Sequence, residues 1–290
     1  MIETPLRDLT GPIAPQLAAV AALIRGSAGP GAAAEGFGAP LDCYLRESVG
    51  HLFRTPGKLL RPTLVLCSAA IAGAGGRRDD EGVVSLAAAV ELLHTASLAH
   101  DDILDEEETR RGQRSLNRSH GNRVAVLVGD VLYARFFSLL TEIRMPDPAR
   151  AGELFALFAR TTERMCLAEI CDERLRRDGR APTAPEYLRI VEYKTAELMS
   201  ACCRAAALLQ GAAGGVADAL GAFGRSFGLA YQLADDAEDR DAPPGVPLDL
   251  RAAEREHAAA AGAALGSLPA GPHRRLLEQL CGLLAPGVSS

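Results

Sequence analysis

Lysine is nearly missing from this chain: of 31 basic residues in 290, only Lys58 and Lys194 are lysine. Arginine stands at every other basic position, so the solvated surface has no need of lysine. Either two lysines have persisted without a role, or these two places require a compact ammonium where a planar guanidinium does not serve. Tryptophan is absent and aromatic residues make up 4%. With β-branched residues also sparse, alanine abundant and apolar residues recurring at helical spacing, a strand-rich fold is excluded and the chain is read as all-α. The seven cysteines include no Cys-x-x-Cys pair, which argues against zinc and against a disulfide framework. They read as reduced core residues of a cytoplasmic protein. A basic excess is missing too: the net charge is −6, which argues against nucleic acid as a partner. The first residues lack a basic region followed by an apolar run and a cleavage site. The longest apolar stretch, residues 124–140, is interrupted by Asp130 and Arg135; it reads as a buried helix, and no transmembrane segment is expected. Gly-x-Ser-x-Gly, a Walker loop and an obvious Cys/His pair are all absent.

What the chain does have is two aspartate-rich pentapeptides, Asp-Asp-Ile-Leu-Asp at 101–105 and Asp-Asp-Ala-Glu-Asp at 235–239. Each closes an apolar, helix-like stretch. Carboxylates in the last turn of a helix lie against the negative end of its dipole, and Asp101 and Asp105, one turn apart, also repel each other. At ~6 Å and an effective dielectric near ~20, such a pair costs roughly 3 kcal/mol if ionised and unneutralised. One acidic run is often just a solvated helix end. Two with the same Asp-Asp-x-x-Asp spacing point to bound cations. The ligand set is all oxygen, with no histidine or cysteine at ligand spacing, which favours magnesium. Magnesium is commonly held by one or two carboxylates together with substrate phosphates, so a phosphate or diphosphate ligand is expected. Gly57-Lys58-Leu59-Leu60-Arg61-Pro62 supplies two cations one turn apart where Pro62 favours a helix start, a natural partner for such a ligand.

Turns and breaks divide the chain into helices. Residues 26–38 read as a Gly/Ala-rich linker, 73–78 as a turn before the helix of the first cluster, and Arg111-Gly112 as the end of that region. Breaks are also expected at 145–148 and 179–185. Thr183 and Glu186 form a capping box with Pro185 in the first turn, opening the helix that carries Lys194. Residues 211–215 precede the helix of the second cluster. On that helix Gly228, Gln232, Asp235 and Asp239 share one face, expected to line a cavity, and Leu220, Phe223, Phe227 and Tyr231 form a neighbouring stripe expected to pack. On the earlier helix His94, Ser97, Asp101 and Asp105 are aligned likewise. A lone histidine is more often a satisfied core residue than a ligand, and spacing alone leaves both readings of His94 open.

These motifs together resemble the trans-type polyprenyl diphosphate synthases. The likeness runs in order from Gly57-Lys-Leu-Leu-Arg-Pro62 through His94-Thr-Ala-Ser-Leu-Ala-His-Asp-Asp-Ile-Leu-Asp105, Arg110-Arg111-Gly112, Gly129-Asp130 and Lys194-Thr195 to Gln232-Leu-Ala-Asp-Asp-Ala-Glu-Asp239. The resemblance implies one all-helical domain over residues 1–290, a large bundle of the isoprenoid synthase type with a central active-site cavity. It implies elongation of an allylic diphosphate by isopentenyl diphosphate. Asp101, Asp105 and Asp235 would hold magnesium, with Asp102 and Asp239 supporting. Arg110, Lys194 and Gln232, with Thr195 beside Lys194, would serve the allylic diphosphate, and Lys58, Arg61, His94 and Arg111 the isopentenyl diphosphate. A homodimer through apolar helix faces such as 124–140 is also implied. In the family an aromatic residue five or four positions before the first aspartate blocks the product tunnel. Ala96 and Ser97 stand there in this chain, and the expectation is medium- or long-chain all-trans products.

The chain also departs from that pattern. After Asp239 the family usually continues with a Gly-Lys segment and a further lysine, whereas this chain has a shortened region, Arg240-Asp-Ala-Pro-Pro-Gly-Val-Pro-Leu-Asp-Leu250, that lacks both. Asp172 stands where a glutamine often follows, and Ala168 replaces a glycine. A regulatory or degenerate subunit that binds diphosphate without efficient elongation is therefore the alternative reading. A class I terpene cyclase shares the first cluster but has no evident need for Lys58 and Arg61. A ferritin-like di-iron bundle would use Glu91-x-x-His94 and Glu254-x-x-His257 but explains neither lysine.

Overall fold

The computed structural model describes residues 9–28, 38–55, 57–73, 80–145, 147–239 and 246–284. The expected linker at 26–38 and turn at 73–78 lie largely outside these residues, as does 240–245 in the shortened region. The helices in chain order are α1 (Ala14–Ala28), α2 (Ala39–His51), α3 (Leu60–Ala72) and α4 (Asp80–Leu104). After a hairpin of β1 (Thr109–Arg110) and β2 (Gln113–Arg114) come α5 (Leu116–His120), α6 (Asn122–Glu142), α7 (Pro148–Asp178) and α8 (Ala184–Val191). A π-helical turn, Glu192–Ala196, leads into α9 (Glu197–Leu209), followed by α10 (Gly214–Asp239), α11 (Leu250–Gly266) and α12 (Pro272–Leu284). The all-α expectation holds, with one departure among the described residues: the antiparallel hairpin, in which Thr109 pairs with Arg114 and Arg110 with Gln113.

The chain clusters into two compact units. One comprises residues 12–63 and 80–144. In it α4 packs along α6 and α1, burying Leu86, Val90, Leu92, Leu93 and Ala96 against Leu132 and Phe136 and other apolar side chains. α4 is long because it is alanine-rich, has Asp80 and Glu81 in its first turn at the positive end of the dipole, and has no internal Gly or Pro beyond Gly82. α6 corrects the expectation of a buried helix at 124–140. Its inner side, with Ala125, Val128, Leu132 and Phe136, is buried, but Val126, Leu127 and Val131 are exposed, Leu127 by 63%. α4 and α6 are both long and apolar enough to cross a membrane by length and composition, and most of the apolar window of α4 is buried inside the protein.

The other unit comprises residues 1–11, 64–79 and 145–290, within which α10 packs against α9 on one side and α11 on another. Leu220, Phe223 and Phe227 are buried as the stripe on α10 predicts. The break at 179–185 is where the sequence puts it. Gly179, in the left-handed region at φ 61°, caps α7, and Thr183 caps α8 in a full capping box with Glu186. The neighbouring core joins Tyr187, Val191 and Ala196 to Leu229, Leu233 and Ala253.

Candidate functional site

In the first unit the acidic pentapeptide closes α4 as expected. Asp101 and Asp102 lie in the last turn, which carries no basic residue, and Asp105 lies just beyond it. Asp101 is half-buried and Asp105 exposed, whereas Asp102 turns inward and is fully buried. Its carboxylate accepts from Arg110 Nε on the hairpin, and its carbonyl accepts from Asn117 Nδ2 at 3.0 Å and the Glu107 amide at 3.0 Å. Burial pushes the Asp102 carboxyl up, against the opposing pull of Arg110. Asp102 thus secures Arg110, while Asp101 and Asp105 hold the exposed edge.

Behind that edge lies a basic group that sequence spacing left as separate motifs. α3 starts at Leu60, so Arg61 sits in its first turn and Lys58 just ahead of it, where a helix N-terminus favours anions. The carboxylate of Glu91 is buried on α4 at 5% exposure. Desolvation raises its pKa, and Arg61 and then Arg111 pull it back down. Gly57 makes the close approach possible: a Cβ there would meet Arg111 Nη1 at 2.9 Å and Glu91 Oε1 at 3.1 Å. His94, one turn beyond Glu91, is held well below its ordinary pKa by burial and by Arg61, Arg111 and Arg110, so its imidazole is neutral at physiological pH. Leu59 and Arg111 both adopt φ of 51°, a left-handed backbone that costs on the order of 1–2 kcal/mol per L-residue. Strain of this kind concentrates at ligand-binding positions. A cleft in the same unit is lined by His51, Thr55, Asp102, Arg110, Arg111 and Gln113 among others.

The second unit carries the other predicted residues. Lys194 lies in the π-helical turn, its Nζ 2.9 Å from Glu169 Oε2 and 3.6 Å from Asp172 Oδ2 on α7. Thr195 donates to Gln232 Oε1 at 2.9 Å, Gln232 Nε2 donates to Asp236 Oδ1 at 2.8 Å, and Tyr187 donates its hydroxyl to Asp236. Burial and then Asp236 push the Tyr187 phenol well above its ordinary range. Gln232 is therefore engaged at both ends of its amide. Gly228 shares the face expected to line a cavity, but it does not face open space. A Cβ there would lie 2.6 Å from Ala196 Cα, so this part of the face packs on the π-helical turn. Asp235 is half-buried, and the side chain of Asp239 lies outside the described residues.

Glu91, Glu169, Tyr187 and Asp236 were not singled out for these roles. Glu91 has a signal in the sequence, its place one turn before His94, but that spacing suggests only half of a di-iron motif, the alternative that explains neither lysine. The structure instead gives Glu91 to Arg61 and Arg111, and pairs Glu254 with Arg251 at 2.8 Å.

The donor set fits a hard divalent cation. Asp101 and Asp105 present only carboxylate oxygens, one turn apart, at a helix end whose last turn carries no basic residue.

A family model described as polyprenyl synthetase matches residues 42–245. The chain is 34% identical over 210 residues to a geranylgeranyl diphosphate synthase of Methanosarcina mazei, a match covering 72% of this chain and 63% of that protein. It spans less than two thirds of the length of the curated relatives it matches. A decaprenyl diphosphate synthase from Rhodobacter capsulatus superposes with a TM-score of 0.80 at 27% identity, covering 99% of this chain and 100% of that one. A polyprenyl synthase from Caulobacter crescentus complexed with calcium and isoprenyl diphosphate gives 0.77 at 27% identity, covering 97% of each chain. The fold is the all-α fold of these isoprenoid synthases.

Proposed function

The chain belongs to the polyprenyl synthetase family, and from that premise we propose that it is a prenyltransferase elongating an allylic diphosphate with isopentenyl diphosphate. The observation that carries this reading is the group formed by Arg61, Arg111 and the neutral His94 around Gly57 and Glu91, of which Glu91 and His94 lie on the same helix as the acidic end at Asp101. His94 and Asp101 are two helical turns apart, about 10 Å. That spacing leaves room for one diphosphate bound by cationic side chains and another bound through metal.

Isopentenyl diphosphate is taken by Lys58, Arg61 and Arg111, with the neutral imidazole of His94 donating one N–H. Arg110, oriented by Asp102, and Lys194 serve the allylic diphosphate, and Thr195 and Gln232 keep the Lys194 turn in place. Asp101 and Asp105, and in the second cluster Asp235 with Asp239, would hold magnesium, which supplies electrostatic stabilisation of the departing diphosphate. The C–O bond of the allylic substrate breaks, the homoallylic double bond attacks the allylic cation, and the proton released goes to the diphosphate. No protein nucleophile is needed, in keeping with the motifs the chain lacks.

Medium- or long-chain products follow from the small residues at 96 and 97. Ala96 is fully buried, whereas Ser97 retains some exposed surface and bonds to the His94 carbonyl at 2.9 Å, which makes Ser97 the better-placed of the two. The exposed apolar side chains on α6 support a homodimer through that face. A single domain over residues 1–290 and a cytoplasmic location complete the reading.

Incubation of the purified chain with magnesium, isopentenyl diphosphate and a series of allylic primers, followed by mass analysis, tests it. Elongated products abolished by EDTA and restored by magnesium are expected. Pyrophosphate binding without any elongation would instead favour the second reading, a diphosphate-binding subunit that needs a partner. The engagement of Lys194 by two carboxylates is the observation on that side.

A further inference from the structure

The ammonium of Lys194 is already engaged. Glu169 Oε2 at 2.9 Å is within hydrogen-bonding distance, and Asp172 Oδ2 at 3.6 Å adds a second negative charge from the next turn of α7. All three side chains are partly exposed, at 31% for Lys194, 20% for Glu169 and 26% for Asp172. Arg176 approaches Asp172 from one turn further along, at 3.5 Å, but it also serves Glu173 at 3.7 Å. Lys194 and its two carboxylates therefore sum to a net negative charge.

The two carboxylates differ in what they do. The shorter contact fixes where the ammonium points. The longer one is beyond hydrogen-bonding distance and acts through charge alone, attracting Lys194 while repelling any anion that approaches it. An amide at 172 would leave Lys194 in place on Glu169 and remove the repulsion.

We propose that Asp172 sets the affinity of the Lys194 diphosphate site by competing with the ligand for the ammonium. Lys194 then exchanges a carboxylate for a phosphate oxygen on binding, and the chain holds metal diphosphate more loosely than its fold permits. This rests on the assignment of Lys194 to a diphosphate. It makes Asp172 a positioning residue that acts through Lys194.

The test is a double-mutant cycle read by calorimetric titration of inorganic pyrophosphate in excess magnesium into the wild type, Asp172→Asn, Lys194→Met and the double variant, with circular dichroism melts to verify folding. Asp172→Asn should tighten pyrophosphate by about three- to fivefold, the scale of a partly exposed ion pair. In the Lys194→Met background the same change should shift affinity by less than about 1.5-fold, because coupled residues lose their mutual effect when either is removed. Asp172→Gln repeats the measurement with a longer amide should the asparagine variant fold poorly. Unchanged affinity in Asp172→Asn overturns the proposal, as does equal tightening with and without Lys194. Weakened binding overturns it as well, and would make Asp172 a holder of the metal. A wild type that elongates primers but whose affinity ignores residue 172 defeats this inference alone. A wild type that binds pyrophosphate and responds as expected yet never elongates defeats only the proposed activity. One that binds no magnesium pyrophosphate defeats both.

Discussion

Arg110 donates its Nε–H to the buried carboxylate of Asp102, and through that pair the hairpin is fastened to the acidic end of α4. Breaking a fully buried ion pair by removing one partner costs about 3–5 kcal/mol. Because the Arg110 side chain is 32% exposed, water recovers part of that loss, and Asp102→Ala should destabilise the protein by roughly 2 kcal/mol in urea unfolding. Arg110→Lys keeps the charge but not the planar geometry. It should lower turnover of the allylic substrate by more than tenfold, on the order of a lost charge-assisted hydrogen bond, while melting near the wild-type temperature.

A bulky residue at 96 or 97 is expected to shorten the products, but the two positions should behave differently. Ala96 has no exposed surface, so Ala96→Phe also overpacks the interior, at about 1–3 kcal/mol. Ser97 retains surface, and Ser97→Phe should shift the product distribution to shorter chains with a smaller loss of stability. Chromatography of dephosphorylated products alongside thermal melts checks both. Unchanged product length in both variants would sink the tunnel assignment.

Gly228→Ala tests the link between α10 and the π-helical turn. The added Cβ would lie 2.6 Å from Ala196 Cα and 3.0 Å from Ala196 Cβ, and neither atom belongs to a flexible side-chain end that can swing aside. The helices must part, at a cost of about 1–3 kcal/mol, and the turn that presents Lys194 and Thr195 shifts with them. A lower melting temperature together with weaker magnesium pyrophosphate binding is expected. Ala222 is an exposed residue on the same helix, and Ala222→Ser, as the control, should leave both quantities near their wild-type values.

What the sequence made legible is local. Thr183-x-x-Glu186 with Pro185 announces a helix start within four residues, and the acidic pentapeptides mark the ends of α4 and α10 because helix dipoles act over a single turn. The parts that escaped depend on distant partners. Tyr187 meets Asp236 across 49 positions and Thr195 meets Gln232 across 37, and no local pattern encodes either. The π-helical turn has no signature of its own: its residues read as ordinary helix, and the close approach of Gly228 becomes visible only once α10 is folded beside it. The hairpin at 109–114 has two residues per strand, too few for an alternating pattern to register. The exposed side of α6 reads as buried in the sequence because hydropathy counts apolar residues without knowing which neighbour covers them.

The capping box at the start of α8 makes a prediction about acid. The Glu186 carboxylate is held at about 2 chiefly by its hydrogen bonds from Arg180, then by the backbone and side chain of Thr183. A carboxylate whose pKa is lower in the folded than in the unfolded chain contributes stability above its unfolded value, near the ordinary 4.5. That contribution fades as the pH falls toward the folded value. Glu186→Gln removes it at every pH. The difference in melting temperature between wild type and variant should therefore be largest above about pH 5 and shrink steadily as the pH is lowered toward about 2. Arg180→Gln should reproduce part of the effect, since Arg180 is the first cause of the shift, whereas Thr183→Ala should cost about 1 kcal/mol through the lost cap even where Glu186 is protonated. A difference between wild type and Glu186→Gln that stayed constant across this range would mean that the carboxylate's charge has no part in holding the start of the helix.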